Sequence, residues 1–385
     1  MEENPKIAFI HDWLVTFGGG EQILSSWLEM WPKTPVYTLV HDPDGPCREI
    51  TADQDIHTSF IQRLPRSKQN HRRYLPFMPM AVEQFDVSGF DLIISCSHAV
   101  SHGILTQPDQ LHINYICTPM RYAWHLYHQY LHESNLERGV KGWFTKSILH
   151  YLRAWDHQTA NRVDKYVAIS NWVAQNVWRV YRRPAEVIYP PVDTTAFQLR
   201  EEKDNFYVTV SRLVPYKKND LIIEAFNQMP DKKLVVIGDG PDLAKLQEAA
   251  GNNIEFLGFQ TLDVLKDCMQ RAKAFVYAAV EDFGIVPVEA MACGTPVIAF
   301  GKGGILETVN NGLSGILYQK QTEEDLMVSI IRFETDGVGY SSREIQSHAA
   351  RFSKDRFQEE FLNMVQKSWD DFNQTGRNQA AMNND

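Results

Sequence analysis

The sequence predicts an α/β protein built from two doubly wound parallel-sheet domains in tandem, and three observations carry that prediction. Short apolar runs alternate with amphipathic stretches along the chain, as happens where parallel strands are covered by helices on both faces. The alternation breaks once, at Pro190-Pro191, and then starts again. The length, 385 residues, exceeds what one hydrophobic core usually supports, so a cleft between two domains is expected.

In the first half, strands are expected at 6–10, 36–40, 92–95, 112–116, 166–169 and 187–189. Tyr189-Pro190-Pro191-Val192-Asp193 closes the last of them. Pro-Pro restricts the backbone and removes two amide donors, which suits a passage between domains better than a central strand. The polar stretch 198–205 follows, and strands are then expected at 206–210, 234–237, 254–257, 275–277, 297–300 and 315–317. A final segment, 352–372, spaces Phe357, Phe361, Leu362, Val365 and Trp369 as a helix with one buried face. Periodicity leaves open which domain receives that face; beyond Asn373 the chain turns polar and is expected to fray. The division that results is 1–195, 196–355 and a C-terminal helix with its tail at 356–385, the helix returning to the N-terminal domain as one outcome.

Composition narrows the function. The formal net charge is -10, which repels nucleic acid phosphates and argues against a nucleic acid partner. Residues 56–82 are a local exception: they hold no acid, and Arg63, Arg66, Lys68, Arg72 and Arg73 are interleaved with Phe60, Leu64, Tyr74, Leu75, Phe77 and Met78. This stretch reads either as a solvated helix face with an apolar underside or as a surface for anionic headgroups or a phosphate-bearing acceptor. The five cysteines form no C-x-x-C pair, so neither a zinc ribbon nor a disulfide framework is suggested. No signal-like start and no bilayer-length apolar run is read, so a cytoplasmic protein is expected, with any membrane contact peripheral.

Ligands of open parallel sheets bind beyond the carboxyl ends of the strands, and the chemistry-bearing residues fall there. After the first strand come His11-Asp12-Trp13 and Gly18-Gly19-Gly20-Glu21, then a helix expected at 22–31. Glycines at a helix start let a phosphate approach backbone amides, so Gly19 and Gly20 are candidate donor-binding residues, although a tight turn explains them as well. After the first strand of the second half, Ser211-Arg212-Leu213-Val214-Pro215-Tyr216-Lys217 offers a guanidinium fork and a point charge. Together these could neutralise a diphosphate without a divalent ion.

The segment from Ala279 to Pro296 places Glu281 in a loop after a strand and Glu289 inside a short helix, with Pro287 suited to its first turn and Gly294 to its end. Glu281 is suited to hexose hydroxyls and Glu289 to both hydroxyls of a ribose. Phe283, Gly284 and Ile285 would aim amides at phosphate oxygens from the helix start. No metal ligand set is read: Asp42-Pro43-Asp44-Gly45 is a turn signal, and metal-independent chemistry with no cofactor is expected.

This combination resembles glycosyltransferase family 4, retaining enzymes of the GT-B fold, over nearly the whole chain. Glu281 and Glu289, separated by seven residues around Phe-Gly-Ile, are the most specific match, followed by Arg212 and Lys217 and by the glycines at 18–20. Thr118-Pro119-Met120-Arg121-Tyr122-Ala123-Trp124 and Val187-Ile188-Tyr189-Pro190-Pro191-Val192-Asp193 look like a subgroup that builds O-antigen and exopolysaccharide repeats, many of its members mannosyltransferases. The resemblance implies two Rossmann-like domains facing a cleft and transfer of a hexose from UDP-glucose or GDP-mannose. The implied acceptor is a sugar, such as a lipid-linked oligosaccharide at the inner face of the plasma membrane. It also implies that Arg212, Lys217 and a helix start stabilise the leaving diphosphate while Glu281 positions the donor. One departure stands out: Cys117 occupies the place of the subgroup's histidine near the donor sugar. His98 is a candidate for part of that role. A catalytically idle sugar-nucleotide binder and a GT-B-fold sugar-nucleotide epimerase remain as alternative classes.

Overall fold

The computed structural model describes residues 5–335 and 339–382, with 376–382 described by backbone alone. The chain divides into two compact units, one formed by residues 1–191 and 357–385 and the other by 192–356.

The first unit is a seven-stranded sheet of β1 (Ile7–His11), β2 (Val36–Thr38), β3 (Ile56–Thr58), β4 (Leu92–Ser97), β5 (Leu111–Ile116), β6 (Lys165–Ala168) and β7 (Ala185–Val187). Its spatial order is β3-β2-β1-β4-β5-β6-β7, parallel throughout. β4 and β5 are buried along their whole length, and the polar Ser95, His112 and Asn114 are accommodated there by hydrogen bonds to one another. β3 differs: at the sheet edge only Ile56 is partly covered, and His57 and Thr58 are exposed. The last strand lies two residues earlier than the 187–189 expected, ending before the Pro190-Pro191 pair, although the Ile188 amide still donates to the Ala168 carbonyl at 3.2 Å.

The second unit is a six-stranded parallel sheet of β8 (Tyr207–Val210), β9 (Leu234–Ile237), β10 (Ile254–Gly258), β11 (Ala274–Tyr277), β12 (Val297–Phe300) and β13 (Gly315–Tyr318), in the order β10-β9-β8-β11-β12-β13. Its core joins the helix Asn219–Asn227, through Leu221, Ile222, Ile223 and Phe226, to buried residues of these strands.

The C-terminal helix runs from Lys354 to Met382, past the end expected at Phe372 and through the stretch expected to fray; residues 383–385 of that tail lie outside the described residues. Phe357 and Phe361 are fully buried in the first unit: Phe361 stacks on Trp27 at 5.2 Å and Phe357 meets Tyr115 edge-on at 5.7 Å. Each such burial stabilises by about 1.5–3 kcal/mol. Among the described residues no helix is long and apolar enough to cross a membrane.

Candidate functional site

Strand order reverses direction between β1 and β4 in the first unit and between β8 and β11 in the second. Each reversal opens a crevice at the carboxyl ends of the strands, where ligands of doubly wound sheets bind. The candidate residues sort onto these two places.

In the second unit, Lys217 ends a short 3-10 turn, Pro215–Lys217, and Lys218 turns the chain in left-handed conformation into the following helix. This brings the Lys217 Nζ onto the Glu281 carboxylate and within 3.0 Å of the Tyr277 hydroxyl, which itself donates to Glu281 Oε1 at 2.7 Å. The Tyr277 and Tyr216 rings lie 5.6 and 5.5 Å from the ammonium. Burial alone would lower the Lys217 pKa, but the Glu281 carboxylate and these two tyrosines raise it above the usual lysine value. Burial pushes the Tyr277 hydroxyl upward, and Glu281 pushes it further. Lys217 is therefore a fixed cation and Tyr277 a neutral hydroxyl. Arg212, just past the end of β8, stays exposed.

Glu281 is held by its backbone as well as by its side chain. Gly304 donates its amide to the Glu281 carbonyl at 2.7 Å, and a β-bridge joins Glu281 to Gly303. A Cβ at Gly304 would come within 2.3 Å of the Asp282 carbonyl oxygen, and one at Gly303 within 2.4 Å of that of Glu281. Glycine at 303 and 304 thus lets these two backbone segments approach. Three residues after Glu281, Gly284 takes a positive φ of 96° and caps the helix Ile285–Ala292. Phe283 is buried against Phe352 at 5.5 Å, and Ile285 is half-buried. The first-turn amides of this helix carry partial positive charge without a side-chain cap. Glu289, one turn on and half-buried, has its pKa pushed up to about 7 by burial and by the charge of Asp193.

In the first unit, Gly19 and Gly20 do not form a loop: the helix expected at 22–31 spans Gly19–Met30, with Gly18 as its extended N-cap. The His11 ring lies over this first turn: a Cβ at Gly20 would stand 3.4 Å from His11 Nε2, in ordinary contact. The buried Glu21 carboxyl lies at this helix start, where burial raises its pKa while His11 and the amides of Glu21 and Gly18 lower it. A phosphate approaching Gly19 and Gly20 would meet that carboxyl.

His98 follows β4 directly, and its backbone and ring are both tied to Asp12. The buried Asp12 carboxylate accepts four amide hydrogen bonds, from His98, Ala99, Val100 and Ser101, each 2.8 Å long, and lies 3.1 Å from His98 Nδ1. Burial works to raise the Asp12 pKa, but His98 and the amides more than offset it and the net shift is downward. The His98 pKa is lowered by burial, against the pull of Asp12 and with help from Arg121 and Arg72. Trp13 stands edge-on to His98 at 4.4 Å and against His71 at 4.7 Å. Cys117, just past β5, lies with its sulfur 3.7 Å from that of Cys96.

Of the basic stretch, Phe60, Leu64, Tyr74 and Leu75 pack against the core of the first unit, while Arg63, Arg66, Arg72 and Arg73 are exposed alongside Phe77 and Met80. Most of its apolar residues are an underside.

Neither Asp12 nor Tyr277 is assigned a role by the sequence alone. The signal for both was position, Asp12 one residue beyond β1 and Tyr277 the last residue of β11, at the two reversals.

Residues 17–196 match the model of Glycosyltransferase Family 4, and residues 192–353 match that of Glycosyl transferases group 1. An uncharacterized glycosyltransferase of Methanocaldococcus jannaschii is 33% identical over 174 residues, 44% of this chain and 49% of that protein. A D-inositol 3-phosphate glycosyltransferase of Mycolicibacterium paratuberculosis is 28% identical over 229 residues, 52% of each chain. The chain thus spans about half the length of these curated relatives. Among solved structures, sucrose-phosphate synthase of Thermosynechococcus elongatus aligns with a TM-score of 0.73 at 18% identity, over 94% of this chain and 98% of that one. HepE of Anabaena, solved with UDP and glucose, aligns with a TM-score of 0.67 at 18% identity, over 94% of this chain and all of that one. With two family models matched in tandem and this fold shared, the chain belongs to the family 4 glycosyltransferases and has the GT-B fold.

Proposed function

We propose that the chain is a retaining, metal-independent hexosyltransferase that moves a sugar from a nucleotide diphosphate donor to a sugar acceptor, such as a lipid-linked oligosaccharide. The observation that carries this reading is the cluster of Lys217, Tyr277 and Glu281 at the β8/β11 reversal, close in sequence to a helix start with no side-chain cap and to the exposed Arg212. In the chain without donor, Lys217 neutralises Glu281. A diphosphate drawn to Arg212, Lys217 and the amides of Gly284 and Ile285 takes over the ammonium and frees the Glu281 carboxylate for hexose hydroxyls. Glu289 then accepts the ribose hydroxyls, and His98, oriented by Asp12, serves the hydroxyls of a sugar.

In the transfer step the acceptor hydroxyl oxygen bonds to the anomeric carbon on the face from which the diphosphate departs. Its proton passes to a leaving phosphate oxygen, and the nucleoside diphosphate carries away the bonding electrons. The chain's contribution is charge stabilisation at that oxygen, where one well-placed donor contributes roughly 3 kcal/mol. UDP-glucose is the first donor to assay, because HepE was also solved with it, and GDP-mannose the second.

The test is nucleotide release and product analysis with each donor, with and without acceptor, in the presence of chelator. Transfer with retained anomeric configuration that survives chelation supports the reading. Loss of activity in chelator overturns metal independence, and epimerised donor without acceptor overturns transfer itself. Arg212→Ala should reduce transfer on the order of a hundredfold with the fold intact; near-normal turnover would refute the role of Arg212.

A further inference from the structure

The three most exposed large apolar residues among the described residues of the first unit, Val140, Trp143 and Phe144, lie on the helix Gly139–Thr159, outside the candidate site, with Tyr151 further along it. Val140, Trp143, Phe144 and Tyr151 are 84%, 70%, 61% and 47% exposed. Their spacing of i, i+3, i+4 and i+11 puts them in one stripe. Leu149 and Leu152, turned well away from the stripe, are buried in the first unit's core, and Trp155 beyond its C-terminal end joins them there. The exposure of the stripe shows that it is not covered by that core, and an exposed apolar patch flanked by polar residues marks an interaction surface.

The charges around the stripe identify its occupant. From 138 to 155 the sequence holds Arg138, Lys141, Lys146 and Arg153 and no carboxylate, in a chain whose net charge is -10. Arg138 and Lys141 are exposed. Lys146 and Arg153 donate to the carbonyls of Glu137 and Ala123, which leaves their charge unneutralised by an acid at those contacts. The helix's own acid, Asp156, is buried and bonded to Trp124 and Tyr181. Glu133 and Glu137 precede the helix, and Glu137 lies 3.4 Å from the His132 ring. A second copy of this face is disfavoured, because symmetric pairing would bring the cations of both copies into one interface with few acids to offset them. A bilayer with anionic headgroups satisfies both parts: aromatic residues enter the headgroup and acyl boundary, and the flanking cations meet the phosphates.

We propose that the exposed stripe of the Gly139–Thr159 helix is the surface by which this protein docks on an anionic membrane. The docking does not depend on the donor or on the transfer chemistry. It assigns the lipid surface to this helix, not to the Arg63–Arg73 stretch, most of whose apolar residues are spent on the core.

The experiment is co-sedimentation of the full chain with vesicles of phosphatidylcholine alone or with about a third phosphatidylglycerol, comparing wild type with Val140→Ser/Trp143→Ser/Phe144→Ser. Wild type should bind the anionic vesicles, less so at raised salt, and the triple variant should lose about tenfold or more of that affinity. The variant's melting temperature and its donor turnover with a water-soluble acceptor should stay at wild-type values, so failure of docking and failure of transfer are read separately. Equal binding of variant and wild type to anionic vesicles would overturn the proposal. So would a wild-type dimer in sedimentation velocity that the variant dissolves, since the stripe would then be a self-interface.

Discussion

Lys217→Met removes the cation on which the donor reading turns while keeping most of the side chain's volume. In the folded chain the Lys217 and Glu281 side chains are only 15% and 12% exposed. Removing one partner of a buried pair costs about 3–5 kcal/mol; the remaining solvent contact brings the expected loss to about 2–3 kcal/mol. For a unit of this size each kcal/mol moves the melting temperature by about 2–4 °C, so the variant should melt about 4–12 °C lower. Transfer should fall further than stability accounts for, by about 10²–10³ in kcat/KM, because in the proposed role the ammonium acts on charge that develops at the leaving phosphate.

The two effects are separable in the double variant Lys217→Met/Glu281→Gln. With no carboxylate left uncompensated, its stability should return to within about 1 kcal/mol of wild type, yet transfer should stay as low as in the single variant or lower. Calorimetry and steady-state assays with saturating acceptor read both. A double variant that regains transfer along with stability would refute the reasoning, since Lys217 would then act only by supporting the fold. A single variant within about threefold of wild-type kcat/KM would refute it too.

Three further outcomes are expected. Glu289 has its pKa raised to about 7 in the fold, so the folded chain binds its proton more tightly than the unfolded one. Its contribution to stability is therefore present at pH 4 and lost as pH rises toward 7, by at most about 3 kcal/mol and less with its partial exposure; Glu289→Gln should flatten that slope in pH-dependent melts, and in the donor role assigned here it should also remove a rise in donor KM below about pH 7. Asp12→Ala strips four amides of their acceptor and should cost about 3 kcal/mol or more in urea unfolding, with Asp12→Asn losing less because one oxygen remains. Gly304→Ala forces a Cβ to 2.3 Å from the Asp282 carbonyl; donor KM should rise as the Glu281 backbone shifts, with a stability loss of about 1–3 kcal/mol.

Much of this architecture was legible because the strands are buried. β9, β11 and β12 have buried side chains on both faces, so each appears as a continuous apolar run, and where β3 has an exposed edge the run disappears. Local conformation was legible at the helix start around Gly284 and missed where two readings compete: Gly19 and Gly20 read as a turn but form the first turn of a helix. Partners distant in sequence were not legible. Lys217 and Glu281 were each recognisable by type, but their pairing spans 64 residues. The four amides that hold Asp12 come from 86 to 89 residues away. The exposed stripe at Val140 was hidden by its own context, since apolar residues lie on both faces of that helix and periodicity cannot say which face the core takes.

The first unit is discontinuous, and this sets an order of assembly. The second unit is one unbroken stretch, complete once residue 356 has emerged from the ribosome, whereas Trp27 and Tyr115 wait for Phe357 and Phe361. During synthesis the earlier-made sheet must therefore stand with a greasy trench open until the final helix arrives, a period in which it is prone to aggregate. A chain cut short at residue 356 would keep every candidate donor contact named in the second unit and still fail, from an unclosed core in the first.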